Sequence, residues 1–129
     1  MNDSIAKLLL RIGFGGMMLF HGWPKLQKLI ITGEFKFADP LGIGPEVSLV
    51  LTIFAEFLCA IFIMIGFRVK LSSIPLAITM LVAVLIVHIN DGRERWELPL
   101  LYLFGYLALL FLGAGKYSID YYFFGKKNR

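Results

Sequence analysis

Four long apolar runs take up most of this chain, at about Ile5–Phe20, Val47–Phe67, Leu71–Ile89 and Leu98–Ala114. Each is about 16–21 residues long, and roughly 20 are needed to cross a hydrocarbon core about 30 Å thick. The expected fold is therefore all-α: a four-helix transmembrane bundle in one domain, residues 1–129, with spans near 4–22, 46–67, 71–90 and 96–114. Composition agrees. The chain is 58% hydrophobic with mean hydropathy +0.76, against roughly 45–50% apolar usage in soluble domains. Four spans and short loops leave no room for a separate soluble catalytic domain. The first run is not read as a cleaved signal peptide. No A-x-A-like site follows it, and it leads into Gly22-Trp23-Pro24-Lys25 instead.

A net charge of +4 does not point to nucleic acid here, because the basic residues sit at the helix ends. There they set topology. Eight lysines and arginines fall on the side of the termini and second loop, among them Lys7, Arg68, Lys70, Lys116, Lys126, Lys127 and Arg129. Five fall in the first and third loops: Lys25, Lys28, Lys36, Arg93 and Arg95. That asymmetry favours both termini in the cytoplasm; the expected location is that of a multi-pass protein of the bacterial inner membrane, in contact with the lipid bilayer. The single cysteine, Cys59, cannot form an intrachain disulfide or a CxxC pair. Dithiol oxidation by this chain alone is excluded.

Helix 1 is expected to end near His21 or Gly22, with Pro24 stopping or kinking it. Residues 24–31 then read as a short interfacial helix in the first extracytoplasmic loop, with Leu26, Leu29 and Ile30 on one side. Gly13, Gly15 and Gly16 allow close helix approach. Residues 32–45 read as a loop, with Pro45 opening helix 2. Ser72 or Ser73 is the expected cap of helix 3. Asn90-Asp91-Gly92 reads as a turn, and helix 4 starts near 95–98.

Two of the runs carry a charge in their interior. Arg11 and Glu56 each lie ten residues from an assumed outer end, His21 and Glu46 respectively. Both would then be about 15 Å deep. Isolated charges at that depth are costly, so the two are expected to pair. The pair serves either helix packing or function. Lys7, Arg11, Met18, Gly22 and Lys25 share one stripe of helix 1, with His21 at its margin. Ser48, Thr52, Glu56 and Cys59 share one of helix 2.

His21, His88 and Glu97 lie near the outer ends of their helices, with Trp23, Lys25 and Trp96 close by in sequence. They read either as unrelated interfacial side chains or as the rim of an outward-facing pocket. Such a pocket would suit a quinone headgroup or small anion, since a few polar groups orient a ligand in an apolar site. Two histidines on separate helices also have the arrangement for axial haem ligation, with no other haem signal beside them. No ligand spacing supports a metal site. Tyr102 and Tyr106, one turn apart, read as packing residues. No nucleophile–base motif, phosphate loop or dinucleotide fingerprint is present.

Over nearly its whole length the chain resembles the DoxX family of small four-helix membrane proteins. The resemblance rests on Arg11, Phe20-His21-Gly22-Trp23-Pro24-Lys25-Leu26 and Phe54-Ala55-Glu56-Phe57. It continues through Gly66-Phe67-Arg68, Val87-His88 and Trp96-Glu97-Leu98, and closes with Gly113-Ala114-Gly115-Lys116-Tyr117-Ser118-Ile119-Asp120. The sequence departs from the common family pattern at Gly113-Ala114-Gly115, where Gly-Pro-Gly is frequent. The family is named for a link to a membrane thiosulfate:quinone oxidoreductase, whose subunits include DoxD-type proteins. The resemblance thus implies a subunit of a membrane redox system handling quinone or a small sulfur compound, with redox partner subunits. Two other readings stand beside it: a non-catalytic scaffold in a larger complex or homo-oligomer, and a small-solute or ion carrier. Whether the chain is itself an enzyme is left open.

Overall fold

The computed structural model describes residues 2–33 and 39–125. Lys36, Lys126, Lys127 and Arg129 of the charge count lie outside them. Four helices form an up-down-up-down bundle: α1 (Asn2–Thr32), α2 (Pro45–Ile65), α3 (Val69–Val87) and α4 (Arg93–Leu112). All four are long and apolar enough to span a membrane. A short α5 (Ile119–Phe124) follows. No strand occurs among the described residues. Contacts run α1–α2, α2–α3, α3–α4 and α4–α1, which closes the ring.

The bundle is apolar outside and partly polar inside. Phe20, Ile31 and Phe111 are each more than 70% exposed, whereas the largest fully buried side chain is that of Arg11. In lipid this costs nothing on the outside, because acyl chains are as apolar as leucine.

The structure corrects several boundaries. Pro24 does not stop α1, which continues to Thr32, so residues 24–31 are the end of one long helix and not a separate interfacial one. Proline frees the carbonyl four residues before it, a loss that membrane helices tolerate. α3 begins at Val69, before the serines expected to cap it. Ser73 instead bonds back to the Val69 carbonyl at 2.7 Å. The cap comes from α5: the Asp120 carboxylate accepts the backbone N–H groups of Arg68 (2.6 Å) and Val69 (3.0 Å). α4 begins at Arg93.

α1 approaches its neighbours through single glycines. A Cβ on Gly22 would overlap the Glu56 carbonyl, and one on Gly15 would lie 2.9 Å from the Ala60 carbonyl. Gly15 and Gly22 are seven apart, so they face α2 together at the coiled-coil period. Gly13 meets nothing and Gly16 only the tip of Met64, so Gly15 alone of the expected trio makes the close approach. On α4, Gly105 leaves room for the Phe14 ring. The register that results sets Gly22 beside Glu56 and Gly15 beside residues 60–64.

Candidate functional site

Arg11 and Glu56 do not pair. Arg11 lies level with the last turn of α2, at the end of the bundle that holds both termini. Its Nε donates to the Ile63 carbonyl at 3.0 Å and its Nη2 to that of Met64 at 2.9 Å. Nη1 reaches the carbonyls of Ala114 (3.0 Å) and Tyr117 (2.9 Å). These carbonyls need donors. α2 ends in a Schellman motif, in which Phe67 N–H bonds the Phe62 carbonyl and Gly66 N–H that of Ile63. The Phe62 and Phe67 rings meet edge to face at 5.2 Å. Arg11 satisfies the Met64 carbonyl and shares that of Ile63, and its charge suits a helix C-terminus. Gly66, at φ +80°, has no room for a side chain beside that guanidinium.

Pro24, which does not end α1, removes the expected match in depth. Helix 1 runs ten residues past Gly22, so His21 is not its outer end. Arg11 faces Ile63, seven residues from Glu56 along α2, or about 10 Å.

Glu56 pairs with Lys25 instead. The Lys25 Nζ lies 2.5 Å from Glu56 Oε1, with side chains 31% and 5% exposed. Gly22 makes this possible. It seats α1 on the α2 backbone at Glu56, and Lys25, three residues on, reaches the carboxylate from the next turn. Glu56 sits in a π-helical segment, Phe54–Cys59. A second π segment, Ala83–Val87, ends α3 just before His88. Such wide turns are frequent at functional sites.

Both segments flank one site. Two adjoining clefts, of about 320 and 310 Å³, meet at the Lys25–Glu56 pair and also share Met80, Ala83 and His88. The first lies towards α4 and is lined by His21, Tyr102, Glu94 and Arg95. The second lies between α2 and α3, where Ser48, Thr52 and Thr79 face Leu51, Ile78 and Val82. At its rim, Asp39 accepts hydrogen bonds from the Ser48 hydroxyl and the Gly44 and Ile43 N–H groups, which shapes the start of α2.

Of the residues expected at an outward pocket, the structure brings His21, His88 and Lys25 to the clefts. The imidazole of His21 stands edge-on to Tyr102, centroids 5.8 Å apart, and His88 Nδ1 lies 3.1 Å from Asp91. Glu97 is not part of the lining. It faces out beside Arg93, 3.8 Å away. Trp23 packs on Phe57, on the far side of α1, and Trp96 is absent from the lining.

Glu56 joins the cleft in place of Glu97, and Tyr102 joins it too. Tyr102 and Tyr106 both pack in the core, as expected. Tyr106 is fully buried and donates to the Phe14 carbonyl at 3.0 Å. The two rings stack at 6.0 Å, but Tyr102 lines the cleft and its hydroxyl has no hydrogen-bond partner among the described residues. The only sequence signal was position: Tyr102 is a turn beyond Leu98 on the face that closes on His21. Among the described residues no three His, Cys, Asp or Glu side chains gather as a metal site.

The DoxX family model matches residues 6–89, nearly two-thirds of the chain. The chain belongs to the DoxX family. No curated relative and no solved structure matches it significantly. The matched region of this DoxX protein holds Arg11, Gly22, Lys25, Glu56 and His88, and so the ion pair at the centre of the clefts and the bonds from Arg11 to the end of α2, but not those to Ala114 and Tyr117. Tyr102 and the Asp120 cap lie beyond it. With four apolar helices and this family, it is an integral membrane protein.

Proposed function

We propose that this DoxX protein is a ligand-binding subunit of a membrane redox system, and that its ligand is a quinone headgroup or a small sulfur compound held at the Lys25–Glu56 clefts. The observation that carries the reading is an ion pair between the buried Glu56 carboxylate and the half-buried Lys25, opening onto a mixed polar and apolar cleft within the spans. Charges are kept inside a membrane protein at a cost, and they mark ligand or proton pathways by default. Here Lys25, Arg95 and the Tyr102 hydroxyl offer donors for carbonyl or anionic oxygens. His21 and His88 add imidazole nitrogens that can donate or accept hydrogen bonds. Met18, Met80, Leu98 and Pro99 supply an apolar wall. The apolar walls of a cleft within the membrane favour the quinone over the sulfur anion.

The test is binding of a short-tailed benzoquinone to purified protein in nanodiscs. Tyr102→Phe is expected to weaken binding about five-fold, the worth of one hydrogen bond. The combined His21→Ala, His88→Ala and Tyr102→Phe variant should bind at least tenfold more weakly than wild type. Equal affinity in a folded combined variant would sink the assignment. Competition by thiosulfate would move the ligand to the sulfur class.

The orientation belongs to the same proposal. With both termini cytoplasmic, the clefts face the outer side. Single cysteines introduced at Asn2 and Asn128 in a Cys59→Ala background should react with an impermeant maleimide only after the cells are opened. Reaction in intact cells would invert the topology.

A further inference from the structure

A third cavity lies away from these clefts, at the opposite end of the bundle. It is a groove of about 450 Å³ between α2 and α3, with Phe54, Phe62, Leu71 and Ile74 on its walls and Cys59 at its floor. Phe54, Leu71 and Ile74 are each more than 40% exposed, so the groove opens sideways to lipid. Its length can be read from α2. Phe54 to Ile65, the last residue of that helix, is eleven residues, about 17 Å, close to the roughly 15 Å of one leaflet's hydrocarbon.

Arg68 closes the groove at the end that holds the termini. It takes the left-handed conformation, φ 49°, to start α3. That strained backbone fixes where its side chain leaves the chain. One face of its guanidinium rests on the Phe124 ring, 4.4 Å from the centroid, and its side-chain donors have no hydrogen-bond acceptor among the described residues. Lys70, exposed at the same helix start, adds a second positive charge. A planar guanidinium held on an aromatic ring is well prepared for a phosphate.

We propose that this groove binds one anionic phospholipid, with an acyl chain along α2 and α3 and the phosphate on Arg68. Three observations converge on it: an apolar slot open to lipid, a length that matches one leaflet, and the Arg68 guanidinium where the headgroup must lie. The site is independent of the quinone reading and uses none of its residues.

Native mass spectrometry of the full-length protein from mixed micelles tests it. The micelles hold equal amounts of phosphatidylglycerol and phosphatidylcholine. Wild type is expected to retain phosphatidylglycerol roughly five-fold over phosphatidylcholine, the preference expected from one basic residue near the surface. Arg68→Gln should bring the two close to parity. Leu71→Trp, at a position 65% exposed where a larger ring is accommodated without repacking the core, should reduce retention of both lipids. Parity in wild type would overturn the proposal. So would an unchanged preference in Arg68→Gln, unchanged retention in Leu71→Trp, or a lipid-free dimer in place of the lipid adduct.

Discussion

Replacing Arg11 by leucine is expected to destabilise the bundle by about 3 kcal/mol or more, because buried carbonyls lose their charged donor together. Four hydrogen bonds tie α1 to the end of α2 and to the segment before α5. Arg11→Lys should recover little. A lysine ammonium has three donors at one point, whereas these carbonyls are spread around a planar fork. Denaturation in mixed micelles, followed by helicity, measures the loss. A leucine variant as stable as wild type would mean that water satisfies those carbonyls. The double variant with Glu56→Gln supplies a sharper check. The two sites are about 10 Å apart along α2, so their effects should add to within roughly 0.5 kcal/mol. A large coupling would restore the direct pairing that depth alone suggested.

The second large effect is expected at Lys25. Lys25→Met leaves the Glu56 carboxylate buried without its cation, and breaking a buried pair from one side costs about 3–5 kcal/mol. Lys25→Met together with Glu56→Leu should regain most of that loss, since an apolar replacement of both partners is often neutral. The same double variant should lose quinone binding while staying folded, which separates the pair's function from its part in packing. If Lys25→Met alone is as stable as wild type, Glu56 is neutralised some other way and the ion pair is not what holds α1 over α2. If the folded double variant binds quinone as wild type does, the clefts do not use the pair.

The class of the fold was legible in the sequence because hydrophobic length is a local property. Four runs of the right length leave one solution in lipid. The buried stripe of α1 was legible for the same reason: Arg11, Met18 and Gly22 share one face by helical period alone, and all are buried. That the charged residues inside the runs would be buried also followed from cost. Their partners did not follow, because pairing is a question of register between helices. Register depended on Pro24, whose local preference to end a helix was overridden by packing and by a medium that tolerates a missing bond. Once α1 runs on to Thr32, Glu56 falls opposite Gly22 and within reach of Lys25, while Arg11 falls at the end of α2. Sequence by itself determined that the chain spans a membrane with four helices, belongs among DoxX-like proteins and carries charge in its interior. Tertiary structure decided which charges meet, that Asp120 caps α3 from fifty residues away, and that Tyr102 rather than Glu97 lines the cleft. Those outcomes rest on contacts between segments distant in the chain, which no local pattern encodes.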